Sequence, residues 1–199
     1  MKALKNILVC VAFASGLAPL SALAVPLTII NVGAPAVNCV FNTSCTVTVT
    51  DSIGNFTLPG DSGTARLQSR TFSGAAPAPA AGYMGYDYRV DLTAVKGLTA
   101  ANCVTKLRVD FGPVKKLPYS PKGLFDVYVV TSGGLGSVGL SSADQTGGFI
   151  TFIFSSPVCP GATSYFFGLA AKGAPAPSKA RLYFSLGGGA ITDDRVPKH

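Results

Sequence analysis

Apolar and polar residues alternate along several segments of this chain. Residues 86–93 place aromatic and aliphatic side chains on one face, and the opposite face comprises Asp87, Arg89, Asp91 and Thr93. Residues 45–50 alternate cysteine or valine with threonine, and residues 103–111 follow the same period less regularly. A period of two is typical of strands with one buried and one solvated face, as in antiparallel sheets. We therefore expect three such strands, each with its charged side chains in water.

Other segments are more continuously apolar, namely residues 124–130, 149–154 and 165–170. Short continuous apolar runs are typical of strands that are buried on both faces. A later strand is marked by Leu182, Phe184 and Leu186, and residues 27–30 suggest an early one.

Glycine and proline punctuate these segments, as at Pro59-Gly60 and Gly112-Pro113. About ten short strands with such turns predict an all-β fold, an antiparallel β-sandwich of immunoglobulin- or fibronectin-like architecture. A single closed sheet is the second possibility. The chain has no tryptophan, so it lacks the Cys-Trp-Cys core of antibody domains and the comparison rests on architecture alone. We expect one domain over residues 25–199.

The first 24 residues have the organisation of a secretory signal peptide. Lys2 and Lys5 precede an apolar stretch over residues 7–20, and Ala22-Leu23-Ala24 matches the pattern at which signal peptidase cuts. The apolar stretch is too short, and too interrupted by glycine and proline, for a good membrane span. We therefore expect cleavage after Ala24 and no membrane segment in the mature chain, which would be secreted or periplasmic.

The cysteines beyond this segment are Cys39, Cys45, Cys103 and Cys159. An even number of cysteines in an exported chain indicates disulfides, and four cysteines allow three connectivities. Cys39 and Cys45 flank a turn-like stretch centred on Asn42, which favours a bridge across a hairpin and leaves Cys103 for Cys159. No Cys-x-x-Cys pair is present, so zinc ligation is the weaker alternative.

The composition is unfavourable for an enzyme. The sequence contains no glutamate, and its single histidine is His199. A Ser-His-Asp triad, a Cys-His pair and a histidine-rich metal site within the chain are therefore excluded. Asp87, Asp91 and Asp110 would lie beside basic residues, which favour the ionised carboxylate over a poised acid. We expect no catalytic activity, no cofactor and no metal.

Two short motifs match catalytic or cofactor-binding loops but lack the required context. Residues 60–63 spell Gly-Asp-Ser-Gly, which resembles the nucleophile loop of chymotrypsin-like proteases, yet no histidine base could serve Ser62. Residues 134–139 carry the glycine spacing of dinucleotide-binding folds, but a strand pattern follows them instead of a helix. We expect both segments to be turns or loops.

Basic residues outnumber acidic ones, and the formal charge of +7 falls to +5 when Lys2 and Lys5 are removed. This charge favours anionic partners, but no basic run is long enough for a nucleic-acid arm. Tyrosines and lysines cluster near a proline-containing loop, where aromatic area and positive charge suit a polysaccharide or lipid headgroup. The candidate binding surface comprises Tyr83, Lys115, Lys116, Tyr119 and Lys122.

We expect a secreted, non-enzymatic interaction or structural protein of the cell envelope or extracellular matrix. One alternative is a soluble module that binds an anionic polysaccharide or lipid headgroup through the candidate binding surface. Another is a self-associating subunit of a surface fibre. Leu27 and Ile29 alternate in a segment that could add a strand to a neighbouring molecule's sheet.

Cleavage after Ala24 makes Val25 the first residue of the mature chain. Peptide mapping of the protein from its native host should find an N-terminal peptide that begins at Val25 and none from residues 1–24. Export with Met1 still attached would contradict the signal-peptide interpretation.

Overall fold

The computed structural model describes residues 23–97 and 102–199. The predicted signal peptide, residues 1–24, lies outside the described residues except for Leu23 and Ala24, so its cleavage stays a prediction. Within the two described ranges, no helix is long and apolar enough to cross a bilayer.

Two six-stranded β-sheets, A and B, form a sandwich. In spatial order, sheet A consists of β1 (Val25–Pro26), β10 (Leu140–Thr146), β11 (Phe149–Val158), β6 (Val104–Asp110), β14 (Ala180–Phe184) and β15 (Gly189–Ile191). Sheet B consists of β2 (Ile29–Gly33), β9 (Val127–Ser132), β12 (Phe166–Ala171), β5 (Met84–Asp91), β4 (Ala65–Ser73) and β3 (Thr50–Phe56). Neighbouring strands are antiparallel except β2 and β9. The predicted all-β sandwich is thus confirmed.

Smaller elements complete the described fold. Two-stranded ribbons are formed by β7 (Leu117–Ser120) with β8 (Gly123–Phe125), and by β13 (Ala176–Ser178) with β16 (Val196–Lys198). The single helix, α1 (Ala34–Phe41), follows β2. Pro35 occupies its first turn, where a missing N–H removes no hydrogen bond.

The main hydrophobic core fills the space between the sheets. Its largest members include Tyr86 and Tyr88 from β5, Phe152 from β11 and Phe167 from β12, all fully buried. The ring centroids of Phe152 and Phe167 are 4.9 Å apart. The Tyr88 hydroxyl donates a 2.7 Å hydrogen bond to the Pro197 carbonyl, which satisfies the polar atom of that side chain. The predicted apolar face of β5 therefore lies at the centre of the core.

A second hydrophobic layer covers the outer face of sheet B. Helix α1, the β7–β8 ribbon and residues 75–83 contribute to this layer, which encloses Phe41, Phe72 and Phe166. Phe41 of α1 meets Phe72 edge to face, with ring centroids 4.7 Å apart. A Cβ atom at Gly85 would overlap the Phe72 ring, so β5 needs glycine at this position. Because of this layer, β9 and β12 are buried on both faces, as their continuous apolar sequences predict.

The charged face of β5 does not lie in water, contrary to the expectation. It faces the second hydrophobic layer, where Asp87 is only 8% exposed. The side chains of Arg89 and Asp91 are 12% and 19% exposed. The corresponding face of β6, on the outside of sheet A, is open to solvent at Lys106 as predicted.

Two other predicted strands differ from the structure. Residues 46–49 form no strand, because Cys45 takes up the left-handed backbone conformation (φ 57°) and is bonded to Cys39. Residues 149–154 lie in β11 but alternate between buried and accessible positions, with Phe149 42% exposed. They belong to sheet A, whose outer face is not covered by any second hydrophobic layer of the described residues, so this face of β11 stays accessible.

The N-terminal segment is paired within its own molecule. Strand β1 pairs with β10, and β2 forms the edge of sheet B by parallel pairing with β9. Between them, the Thr28 N–H and hydroxyl donate to Asp126 Oδ2 at 2.8 and 2.7 Å. In the single chain this segment therefore contributes strands to both sheets, and the surface-fibre alternative stays a prediction.

Both predicted disulfides are present, Cys39–Cys45 and Cys103–Cys159. The first joins α1 to the turn that follows it and does not span a hairpin, because Cys39 is helical. The second connects the start of β6 to the end of β11, at a sequence separation of 56. Two such bridges are typical of a chain that folds in an oxidising compartment outside the cytoplasm.

Removing the longer disulfide should destabilise the protein more than removing the shorter one. Loop entropy predicts a loss of about 4 kcal/mol for the separation of 56 residues and about 2 kcal/mol for the separation of 6. Urea unfolding of the double variants C103A/C159A and C39A/C45A measures both free energies. A larger loss in C39A/C45A would contradict this order.

Candidate binding sites

The outer face of sheet A carries a cluster of cations, which we call the basic face: Lys106, Arg108, Lys179 and Arg181. The register places Arg181 of β14 directly opposite Arg108 of β6, with Tyr183 opposite Lys106. Side chains at such positions have Cβ atoms about 5 Å apart, so the two guanidinium groups start from neighbouring points on the sheet.

No carboxylate in the described part of the chain pairs with the basic face. Asp110, at the end of β6, is instead bound by Lys198 Nζ at 2.7 Å. The Arg108 guanidinium lies over the Phe149 ring, 4.1 Å from its centroid, in a cation–π contact. Like charges directly opposite each other destabilise a sheet, so the Arg108–Arg181 pair lowers the stability of the free protein.

The surface of the basic face is shallow. One depression of about 240 Å³ is lined by Arg108, Asp110, Phe149, Lys179 and Arg181. A second, of about 380 Å³, continues past Tyr183 to Ile191 on β15. The two depressions together extend along the face from Phe149 to Ile191, and a surface of this length can accommodate an extended polymer.

The structure brings only part of the predicted surface together. Lys115 Nζ lies 5.3 Å from the Tyr83 ring centroid, and both residues line a groove of about 450 Å³ with Lys172 and His199. Lys122 is exposed in the turn between β7 and β8.

The other two predicted residues do not join this groove. Lys116 Nζ pairs with Asp126 Oδ2 at 3.4 Å. Tyr119 is 2% exposed, and its ring centroid lies 4.6 Å from that of Tyr128 in the second hydrophobic layer. The expected open loop is a β-ribbon that turns Tyr119 inward, so this side chain offers no area to a partner at the surface.

Sequence reasoning located half of the basic face. The alternation along residues 103–111 put Lys106 and Arg108 on a polar strand face, where the structure also has them. No local pattern indicates that β14 pairs with β6 or that Arg181 comes opposite Arg108. The alternation of Arg181 and Tyr183 with buried Leu182 was the available signal, and it showed only a second polar strand face.

A cavity of about 340 Å³ lies between α1 and the outer face of sheet B, and we call it the α1 cavity. Its walls are mainly apolar side chains: Val37, Val47, Val49, Phe72, Val130, Leu135 and Phe166. Its polar side chains are Asn38, Arg70 and Asp87. The Arg70 guanidinium lies 4.3 Å from the Phe166 ring centroid, and its Nε donates to Asp51 Oδ1 at 2.8 Å.

Asp87 is the carboxylate of the α1 cavity. The Tyr128 hydroxyl donates a hydrogen bond to its Oδ1, whereas no donor in the described residues reaches Oδ2. A Cβ atom at Gly168 would overlap both the Asp87 carboxylate and the Tyr128 hydroxyl, so glycine on β12 makes room for their contact. Arg70 lies opposite Asp87 in the register but forms its ion pair with Asp51.

Burial raises the pKa of Asp87 to about 7. Loss of water around the carboxylate is the largest cause, and it outweighs the hydrogen bond from Tyr128 and the charge of Arg70, which lower the pKa. The nearby Asp51 charge raises it further. The expectation that basic neighbours keep Asp87 firmly ionised is therefore wrong, because the second hydrophobic layer excludes water from this face.

Asp91, on the same strand, behaves as expected. Burial acts to raise its pKa, but hydrogen bonds from the Thr93 hydroxyl and N–H and the charges of Arg89 and Arg66 lower it overall. Asp91 lies near the end of β5, where the second hydrophobic layer is less complete.

The two loop motifs lie in connections, as predicted. Ser62 lies in the connection between β3 and β4, and its hydroxyl donates to the Lys96 carbonyl at 3.0 Å. Residues 134–139 connect β9 to β10. In the described portions of the chain, no group of three or more histidine, cysteine or aspartate side chains is placed to hold a metal ion.

No protein-family model, curated protein or solved structure matches this chain. Its function therefore has to be inferred from the surfaces and side chains themselves.

Replacing Asp87 with asparagine should remove a pH-dependent loss of stability. A carboxyl whose pKa is raised on folding stabilises the fold at low pH, and that contribution disappears as pH rises through about 7. Between about pH 5 and about pH 8, the wild-type protein should lose about 2 to 3 kcal/mol of unfolding free energy relative to D87N. Urea unfolding at both pH values measures this difference.

The control is H199Q, since histidine is the residue type that ordinarily titrates in this range. H199Q should keep the wild-type decline. Parallel pH profiles for the wild-type protein and D87N would contradict the prediction.

Proposed function

We propose that this chain is a secreted, non-enzymatic binding protein of the cell envelope or extracellular matrix, and that its basic face binds an anionic polysaccharide. The observation that carries this proposal is the placement of Arg181 directly opposite Arg108 on an open sheet face. Lys106 and Lys179 add positive charge there, and the one described carboxylate that lines the face, Asp110, forms its ion pair with Lys198.

An anionic partner would remove a repulsion that the free protein carries. Two opposed guanidinium groups destabilise the sheet when they are alone. A carboxylate or sulfate between them accepts charge-assisted hydrogen bonds from both, and guanidinium groups match the planar geometry of these anions. Binding therefore gains the attraction to both cations and also cancels their mutual repulsion.

The shape of the basic face favours a polymer. Equivalent positions on neighbouring strands are about 4.8 Å apart, and same-face positions along one strand are about 7 Å apart. The cations thus form a flat array that can contact several repeating anionic groups at once. Exposed Phe149 and half-buried Tyr183 lie within this array and offer flat apolar area to sugar rings.

The remaining observations are compatible with this role. The two disulfides suit a chain that works outside the cytoplasm. The basic face has few exposed apolar side chains beyond Phe149 and Ile191, so a polysaccharide is a better partner than the interior of a lipid surface.

Charge reversal on the basic face should abolish this binding. K106E/R181E places two acidic groups where two cations stood and should weaken binding to an immobilised polyuronate by at least about tenfold. The matched control is K115E/K122E, which makes the same change of charge on the surface that the sequence alone suggested. Wild-type binding should weaken as salt is raised, and neutral dextran should not bind.

Three results would contradict this proposal. If K115E/K122E loses binding and K106E/R181E retains it, the site lies in the groove lined by Tyr83 and Lys115 and not on the basic face. Equal loss in both variants would mean a diffuse effect of net charge and no specific site. Binding to anionic phospholipid vesicles but not to polyuronate would replace the polysaccharide with a lipid surface.

A further inference from the structure

The α1 cavity has the dimensions of a small-molecule site and takes no part in the polysaccharide binding proposed above. Its volume of about 340 Å³ is at the lower end of the usual range for ligand sites. Its walls come from α1, residues 46–49, the β9–β10 connection and sheet B, and they combine apolar side chains with the polar groups of Asn38, Arg70 and Asp87. A few polar groups within an apolar cavity are the usual arrangement for fixing the orientation of a ligand.

Asp87 is the polar group that this cavity leaves incompletely bonded. Its Oδ1 accepts from Tyr128, but no described donor reaches Oδ2. Asp87 lines the cavity, and its Oδ2 is not among the buried, unpartnered atoms of the described residues, so a donor in the cavity can approach it. A ligand that brings a donor to Oδ2 would complete this pairing.

The charges around the cavity favour a cationic ligand. Arg70 is the only cation among the described residues of the lining, and its Nε forms a 2.8 Å ion pair with Asp51. An anionic ligand would therefore meet a paired arginine and the Asp87 carboxylate, which would repel it. A cation would meet the Asp87 carboxylate, which forms no ion pair among the described residues, and the Phe72 ring. The Phe166 ring already lies against the Arg70 and Arg89 guanidinium groups, 4.3 and 5.1 Å from its centroid.

We propose that the α1 cavity binds a small apolar molecule that carries one amine, with the ammonium group donating to Asp87 Oδ2. The apolar part of the molecule occupies the space among the valine and phenylalanine side chains. The shared features of this ligand class are one positive donor and a compact hydrocarbon or aromatic body.

The cavity also has an apolar rim. Leu135 is 60% exposed and Val49 is 39% exposed, although both line the cavity. Both stand on segments outside the sheets, in the β9–β10 connection and just before β3. A ligand that enters between them buries this apolar surface, which adds to the affinity.

Three probes of the same shape test the proposal: phenethylamine, phenethyl alcohol and hydrocinnamate, which are cationic, neutral and anionic. Calorimetric titration of the full mature chain should show that the amine binds at least about tenfold more tightly than the other two, as expected for a charge-assisted hydrogen bond. D87N should weaken amine binding by a similar factor while leaving the alcohol nearly unchanged. D110N, which removes an exposed carboxylate on sheet A, should leave all three affinities unchanged.

Amine affinity should also fall as pH is lowered, because protonated Asp87 offers no charge to the ammonium group. Of the ionisable groups that face Asp87, Arg70 and Asp51 form their own ion pair. Burial raises the pKa of Tyr128 and of Tyr119 well above its ordinary value, so both stay neutral. Helix α1 and residues 46–49 contribute no titratable side chain, since Cys39 is in a disulfide. The decline should therefore track Asp87 and be absent in D87N.

A second variant guards against an effect of D87N on folding. V49W places a large ring at the rim and should weaken binding of the amine and the alcohol together, with an unchanged far-ultraviolet circular dichroism spectrum. Tighter binding of hydrocinnamate than of the amine would overturn the proposal, as would unchanged amine binding in D87N. The absence of amine binding at about 10 mM would overturn it too.

None of these outcomes depends on the basic face. Polyuronate binding is measured with a different ligand and different variants, so the two proposals can fail separately.

Discussion

Burial of both faces of sheet B is the constraint on which the rest of this structure depends. The inner face packs against sheet A, and the outer face packs against α1, the β7–β8 ribbon and residues 75–83. Aromatic contacts such as Phe41 with Phe72 hold this second layer in place. Because the central strands of sheet B are covered on both faces, its outer face reaches water only along β3 and part of β4, whereas the outer face of sheet A is open.

As a result, the outer faces of the two sheets place their charged side chains in different environments. On sheet B, Asp51, Arg70 and Asp87 follow one another across three strands, from an exposed position on β3 to a buried one beneath the second layer, and the row continues to Tyr128 beyond Gly168. Exclusion of water around Asp87 strengthens the electrostatic interactions of its carboxylate. It also raises the pKa of Asp87 to about 7. On sheet A, cations stand opposite each other in water, where the repulsion is screened and an anionic partner can approach.

These two environments give the protein two different kinds of site. The basic face is open, flat and rich in fixed charge, so its selectivity would come from the spacing and sign of charges on a partner. The α1 cavity combines apolar side chains with a single buried carboxylate, so its selectivity would come from shape and from one hydrogen-bonding group. The Cys39–Cys45 bridge fixes the path from α1 into residues 46–49, which form part of the cavity wall.

Local sequence determined much of the fold. Alternation identified the faces of β5 and β6, continuous apolar runs identified β9 and β12, and cysteine spacing together with the turn at Asn42 indicated the disulfide partners. These features depend on the period of a strand and on short stretches of chain, so a linear pattern contains them. The eight-residue helix α1 left no such pattern, because two turns are too few to show a helical period.

Only the tertiary structure decided which faces are covered and which strands are neighbours. A polar strand face looks the same in sequence whether water or a helix lies over it, so Asp87 could not be distinguished from the exposed positions on β6. Gly85 and Gly168 were the available signals, because a glycine within a strand often indicates that another group packs closely against the backbone there. The sequence does not identify that group. Likewise, the opposition of Arg108 and Arg181 arises from pairing between distant segments, which no local pattern specifies.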